Sequence, residues 1–522
     1  MSRHAGRNEA AGIFIDRYIV KQNKEPTRGI KSNPPKLGTV IAEKIEKEIL
    51  RAGWSVGTVI ATEAELADQF HVSRATIREA VGQIERRGIA TMRRGNRGGL
   101  VVSAPARSAV VRALATYMEL ANADLEEMLD ARLLLETQAV GLAAERVDAR
   151  GLQLLRAHAQ QLSLRTGSLE DDSRMHMAIR ETVAEITGNP LLALLIEALD
   201  FSSRDVTFTN TDDPRVYEEV IIKTIALKRD LVGAIADCDK VAAQQIVRKD
   251  VELQKQGYLS ARALRGYARK RPPALPDLKL PHSLAIRISQ DIRLHKWLPG
   301  QRIGSEVELM KRYSLSRSAF RESIRLLESL SVVKMQRGGA GGLVVGTPDP
   351  TNTIDSAARY VDYMNLQSSH MHEVREALEL GAVQRAAKAA TAEDIEKLRN
   401  ALHEAAIATD AEDMLHRPIA VHLAICRASH SDVISLLTQL VLKAIGSTYS
   451  ASNLPTAMTH EVGVSHQRIV GAIIARDEGM AKRYMLQHLI MIQRWTALIG
   501  QTILKRAPAD ASAPRLFQIA SN

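Results

Sequence analysis

The chain of 522 residues is 45% hydrophobic and 25% charged, a balance that excludes wholesale disorder and implies about three to four domains. With 4% aromatics and only two cysteines, Cys238 and Cys426, it excludes a disulfide framework and fits a reducing, cytoplasmic setting. Seventy Lys and Arg against sixty acids leave a net charge of +10, which favours polyanionic partners, and no apolar run reaches the roughly 18 residues of a membrane span.

In chain order, residues 1–35 form a basic arm expected to be flexible. Val40, Ile41, Ile45 and Ile49 then recur at helical spacing over 37–52. Thr62-Glu63-Ala64-Glu65 predicts a second helix opened by a capping box, the threonine side chain serving the backbone three residues on and the glutamate reaching back. Ser73 is placed to cap a third helix running through Ile84, and Met92 to Val102 reads as a strand, a Gly-rich turn and a strand. About 150 residues of Ala- and Leu-rich helical pattern follow, with segments over 125–146, 152–166 and 191–199. Residues 266–279, containing Arg269-Lys270-Arg271-Pro272-Pro273, form a basic linker in which a helix cannot continue.

After the linker the pattern recurs at one offset. Adding 243 takes Trp54 to Trp297, Ser73-Arg74 to Ser316-Arg317, Gly98-Gly99-Leu100 to Gly341-Gly342-Leu343, and Arg132 to Arg375. Ser305 and Glu308 repeat the capping box, and the last helix is expected from Ala481 to Leu498. The domain limits that follow are two winged helix-turn-helix units at 36–105 and 280–348, two all-helical bundles at 108–265 and 351–505, and a flexible tail at 506–522. The fold class is mainly α with small β-wings.

Helix, short turn, capped helix and β-hairpin make a DNA-reading head. Arg74 and Arg78 are four apart, hence on one face near the start of the third helix, where guanidinium forks can meet guanine or phosphate. Arg317 and Arg321 repeat them. Ser73 and Ser316 can cap the helix and meet a phosphate, with Thr76 beside the first. In the wings, Gly98 and Gly341 permit close approach to a sugar–phosphate backbone, flanked by Arg93, Arg94 and Arg97 in the first copy and Arg337 in the second. Glu79 and Glu322 are expected to buttress the neighbouring arginines rather than touch DNA. The first head carries ten Lys and Arg against eight acids, net +2; the second carries eleven against five, net +6. Salt sensitivity is therefore expected to be greater for the second head.

On these residues the small units resemble the DNA-binding domain of the GntR family of bacterial transcription regulators. The matching stretches are Thr62 to Leu66, Val72 to Ala80 and Gly98-Gly99, with Ser305 to Leu309, Leu315 to Ser323 and Gly341-Gly342 in the second copy. Both copies lack the arginine usual in the second helix, having Ala64 and Val307. The bundles resemble the FCD ligand-binding domain of the FadR branch, on Arg132-x-x-x-Glu136, Arg375-x-x-x-Glu379, Gly188-Asn189-Pro190 and the pattern from His466 to His488.

The resemblance implies a divalent metal held by one Asp and three His, completed by a carboxylate effector with an arginine nearby. The second copy supplies His422, His466 and His488, with Pro418 where the family has Asp; zinc, nickel or iron would suit. The first copy offers His176, Arg180, Lys228 and Asp250 at the corresponding positions, so its cations oppose a dication and this half is expected to be metal-free. Arg375 and Arg132 are the expected effector-binding residues, each with the alternative of pairing with its own glutamate four residues on.

The function these readings imply is a sequence-specific transcription regulator acting as a covalent pseudo-dimer on an imperfect palindrome. Its partners would be double-stranded DNA and a small organic acid, with self-association possible and no membrane. Repression is the expected sense, although the residues leave activation open. Two alternatives stand beside it: a metal-dependent hydrolase or lyase built on the three histidines, and an architectural DNA binder without effector.

Overall fold

A computed structural model describes residues 37–93, 95, 98–121, 123, 125–164, 169–207, 214–265, 280–336, 338, 341–407, 411–448 and 456–506. The expected N-terminal arm, the linker and the tail beyond Arg506 fall outside these residues, as do Arg94, Arg97 and Arg337; Arg506 itself, the first residue expected of the tail, ends a helix. The described residues divide into two compact units, one of residues 37–105 with 411–416 and one of residues 106–407 with 417–506.

The first unit holds the first head: α1 (Leu37–Arg51), α2 (Glu63–Gln69), α3 (Arg74–Arg86), β1 (Ala90–Arg93) and β2 (Gly99–Val102). Ile41, Ile45 and Ile49 of α1 bury one stripe, and Ile77, Ala80 and Ile84 of α3 pack on it. The capping box forms as the sequence predicts, Thr62 N–H donating to Glu65 and Glu65 N–H to Thr62. β1 and β2 pair antiparallel, Ala90 opposite Val102 and Arg93 opposite Gly99.

The second unit opens with α4 (Arg107–Leu120), followed by the first bundle: α5 (Leu125–Arg146), α6 (Ala149–Leu164), α7 (Leu169–Ile186), α8 (Pro190–Thr207), α9 (Pro214–Ala236) and α10 (Lys240–Arg265). The second head comprises α11 (Leu280–Leu294), β3 (Arg302–Gly304), α12 (Glu306–Tyr313), α13 (Arg317–Ser329), β4 (Val333–Gln336) and β5 (Gly342–Val345). Then come α14 (Thr351–Tyr363) and the second bundle: α15 (Ser368–Ala389), α16 (Ala392–Ala406), α17 (Ala411–Ala428), α18 (Asp432–Thr448), α19 (Thr456–Ile474) and α20 (Glu478–Arg506).

β4 and β5 repeat the first wing's register at the same offset of 243, Val333 facing Val345. The second head adds a strand that the sequence reading missed. β3 pairs with β5 to make a sheet ordered β3-β5-β4, whereas the equivalent stretch of the first head makes a single bridge, Val59 to Val101.

In each bundle the helix carrying the Arg-x-x-x-Glu motif lies along the last helix, α5 on α10 and α15 on α20. The middle-helix motif works as a device: Gly188 takes φ +64, the left-handed turn that favours glycine, and Asn189 Oδ1 then accepts from Leu191 and Leu192 N–H to cap α8. α5 also packs on α15, joining the two bundles, and α4 packs on α14. The second head rests its α11 on α4. No helix among the described residues is long and apolar enough to cross a membrane.

Candidate nucleic-acid interface and metal centre

At the start of α3, Ser73 Oγ accepts from Thr76 N–H at 3.2 Å and lies 2.9 Å from Thr76 Oγ1. Arg74 and Arg78 stand exposed beyond this cap. At the start of α13, Ser316 Oγ accepts from Ala319 N–H at 3.3 Å, with Arg317 and Arg321 exposed. The two heads thus present the same pair of exposed cations beside a serine-capped helix start.

The carboxylates that steady these arginines are not the expected ones. Arg78 Nε donates to Glu63 Oε1 at 2.7 Å, while Arg317 and Arg321 share Glu306 Oε1 at 3.0 and 3.1 Å. Hydrogen bonding from Arg317 leads in lowering the Glu306 carboxyl; burial opposes it, and Arg321 adds to the lowering. Glu79 instead packs over Gly38, where an added Cβ would come within 3.0 Å of it, and Glu322 is exposed. The arginines remain 56–69% exposed, so each clamp is worth about 0–1 kcal/mol and can yield to a phosphate.

In the wings, Gly98 and Gly341 N–H donate to Gly95 and Gly338 carbonyls at 2.8 Å, and those turn glycines sit at φ +117 and +119. A side chain at Gly342 would strike the Gly304 carbonyl at 2.5 Å, so the second glycine of the pair is required by the head's own sheet.

In the second bundle α17, α19 and α20 bring His422, His466 and His488 together, each at most 4% exposed. Their Nε2 atoms face one another, 3.1 Å from His466 to His422 and 3.2 Å from His488 to His422. The outer nitrogens are held from behind: His488 Nδ1 lies 2.7 Å from Ser465 Oγ, and His422 Nδ1 lies 2.5 Å from Glu379 Oε2. Glu379 is in turn gripped by Arg375 Nε at 2.5 Å. Burial alone would raise the Glu379 carboxyl, but Arg375 and then His422 outweigh it and hold it well below the usual carboxylate range. Burial, then His422, pushes His466 well below its ordinary value; for His488 burial leads again, followed by His466 and His422. Pro418 stands inside α17 and offers no ligand atom.

Arg375 therefore pairs with its own glutamate, the alternative reading, but 5% exposed rather than at the surface. Its task in this structure is to fix Glu379 against a histidine. A carboxylate does stand beside the histidines, yet it meets the Nδ1 side of His422, away from the three facing nitrogens.

The first bundle replaces that centre with a closed ionic set. Arg132 Nε donates to Glu136 at 2.9 Å, Arg180 Nε to Asp200 at 3.0 Å, and Lys228 Nζ to Asp250 at 2.8 Å. Gln254 bridges Arg132 and Asp250, and Arg132 also lies 3.7 Å from Asp200. Three cations meet three carboxylates, and the cavity beside Glu136, Arg180 and Lys228 has room for about 10 Å³. That is about one water, too little for an organic acid. Arg132 is thus 2% exposed and paired with its own glutamate, the alternative reading of that residue.

His176 is sealed into the same set. Burial first, then Lys228 and Arg180, pushes its imidazole down to about 3. The folded chain refuses a proton that the unfolded chain accepts near 6.5. Stability from this group is complete above pH 6.5 and is lost as pH falls toward about 3. Acid titration of the unfolding free energy should show that loss, and His176→Gln should flatten it over the same interval. An unchanged slope would contradict it.

A cleft of about 300 Å³ opens between α19 and α20, lined by His460, Glu461, Ser465, Arg468, Tyr484, Gln487 and His488 among others. The sequence reading passed over it, since only the histidine at its wall belongs to a recognisable pattern.

Paired arginine-bearing helices with wings, alternating with two helical bundles, define a DNA-binding regulator. The family description "Bacterial regulatory proteins, gntR family" matches residues 37–101 and 282–342, and "FCD domain" matches 127–253 and 370–490. The chain belongs to the GntR family of bacterial regulators, in its FCD-bearing form and as a tandem duplication. It is similar to the HTH-type transcriptional regulator LutR of Bacillus subtilis, 27% identical over 201 residues, 37% of this chain and 91% of LutR. It is also similar to the HTH-type transcriptional repressor NanR of Escherichia coli K12, 28% identical over 187 residues, 33% of this chain and 68% of NanR. Among solved structures, a GntR protein of Streptococcus agalactiae matches 42% of this chain and 99% of its own, at 20% identity and a TM-score of 0.30.

Proposed function

We propose that this GntR-type regulator is two fused protomers reading an imperfect palindrome from within one polypeptide, with effector sensing confined to the second bundle. The observation that carries this is the contrast between the halves: both heads keep the capped arginine pair, while only one bundle keeps the facing histidines. Domains bounded at 36–105, 108–265, 280–348 and 351–505 fit the reading. The different faces beside the shared arginines, Ala75-Thr76-Ile77 against Ser318-Ala319-Phe320, give unlike half-sites.

His422, His466 and His488 suit a divalent ion such as zinc, nickel or iron. Nitrogens 3.1–3.2 Å apart approach the about 3.3 Å edge that ligands at about 2.0–2.1 Å make around a tetrahedral ion. Such an ion supplies a Lewis-acidic position for a carboxylate. Glu379 and Ser465 hold two rings from behind, the support that orients metal-binding histidines. The cleft offers a small organic acid a way to the His488 wall, and Arg468 in its lining offers the guanidinium that Arg375 and Arg132 do not. Within the second unit, α15 and α18 of the bundle reach α14, α4 and then α11 of the second head. Effector occupancy would shift the population of that head competent for DNA.

Metal analysis of the whole chain tests this. One equivalent per chain is expected, falling to none in His466→Ala; two equivalents would put metal in the first bundle as well and contradict the asymmetry. With metal present, an organic-acid panel should raise the melting midpoint, and Arg468→Ala should abolish the rise. No response to any acid would favour an effector-independent DNA binder.

A further inference from the structure

The two bundles meet where α5 crosses α15, and at the crossing one residue of each half fits the other as a knob fits a hole. Gly381 is buried on α15 against the side chain of Leu134 on α5. A Cβ built at Gly381 would lie 2.2 Å from Leu134 Cδ1, 2.6 Å from Cδ2 and 3.0 Å from Cγ, so no other residue leaves space for that leucine in its present place. The repeat register shows the fit to be one-sided. Adding 243 to Leu134 gives Ala377, and subtracting it from Gly381 gives Gln138. Large therefore meets absent on one side of the crossing, with the opposite pairing of Ala377 and Gln138 in the repeat.

We infer that Leu134 and Gly381 make the two bundles complementary to each other and not to themselves. Two first bundles from separate chains, crossing in the same way, would drive Leu134 onto Gln138. Two second bundles would set Ala377 against Gly381 and leave a hole the size of a leucine side chain, and both overfilling and emptiness destabilise a packed contact. Cross-bundle ion pairs flank the crossing, Arg385 with Asp130 at 2.6 Å and Arg146 with Glu373 at 2.5 Å. Asn189 Nδ2 donates to Glu373 at 2.8 Å, and Asp432 N–H to Glu127 at 3.1 Å, so each bundle's capped middle helix touches the motif helix of the other. Their acids Asp130 and Glu373 occupy equivalent positions in the repeat, so these pairs fix the crossing without choosing the partner. The choice falls to the knob and its hole. The device closes each chain on itself, which suits a protein whose two heads already lie on one polypeptide. It rests on the pairing of the halves and not on the DNA reading, and its test uses no DNA.

The test is a double-mutant cycle in the full chain. Gly381→Leu should lower the melting midpoint by about 2–5 °C through overfilling. Leu134→Gly should also lower it, by emptying the hole. The exchange Leu134→Gly/Gly381→Leu should recover more than half of the summed loss, because it restores one large and one absent side chain. An exchange that loses the full sum would overturn the inference. Light scattering adds an independent reading: wild type and the exchange variant should both have the mass of one chain. A wild-type species of two chains that Gly381→Leu converts to one would show the crossing operating between chains and would overturn it too.

Discussion

Replacing Lys228 by methionine is expected to cost about 3–5 kcal/mol of folding free energy, because it leaves a carboxylate buried without its cation. Lys228 and Asp250 are 2% and 1% exposed and 2.8 Å apart, and Gln254 donates to the same oxygen. Burial would raise the Asp250 carboxyl, yet Lys228 outweighs it and keeps the group ionised. Removing both charges is a different matter: Lys228→Met/Asp250→Leu should recover most of the loss, since a buried ion pair repays little beyond its own desolvation. Chemical denaturation of the full chain measures both. A single-variant loss under about 1 kcal/mol would mean that water reaches the pair, contrary to the sealed ionic set described for this bundle.

Removing Arg317 and Arg321 together is expected to weaken binding to a duplex carrying two half-sites by at least about 100-fold. Each base or phosphate contact is worth about 1–3 kcal/mol, and loss of one head also forfeits the high effective concentration that tethering confers. Because Glu306 holds both side chains, Glu306→Gln should have a small effect of its own, releasing them without removing their charge. Titration by fluorescence anisotropy at several salt concentrations reads both effects. The double variant should also show a shallower salt dependence, by about one unit of slope for each phosphate that is no longer neutralised. Unchanged affinity and slope would place the DNA-binding surface elsewhere on the second head.

The fold was legible where the backbone carries its own punctuation. Thr62 with Glu65, Ser305 with Glu308, Ser73 and Ser316 mark helix starts that depend only on local hydrogen bonds, and a fixed offset of 243 then carries these caps, the wings and the Arg-x-x-x-Glu motif from one half to the other. The wing registers and the limits of α5 follow from the same local signals. β3 was not legible, because three residues with no alternation become a strand only when β5 lies beside them.

For the site, the histidines could be placed by spacing, but what surrounds them could not. Asp200, which closes the ionic set, lies on α8, outside the positions expected to bind metal, and only folding brings it to Arg180. Glu379 reads in sequence as the i+4 partner of Arg375; that its second oxygen faces His422 depends on how α15 packs in the bundle. Glu63 and Glu306 open short helices and meet arginines 15 residues on, a pairing set by the turn between helices rather than by spacing on one face.

The most direct test of the account is the stoichiometry of the chain on an operator selected from random duplexes, measured by native mass spectrometry or by sedimentation. One chain bound to one duplex with two unlike half-sites, both protected from cleavage and both lost when Arg74 and Arg317 are replaced together, is the predicted result. Two chains per palindrome, each protecting a single half-site, would contradict it.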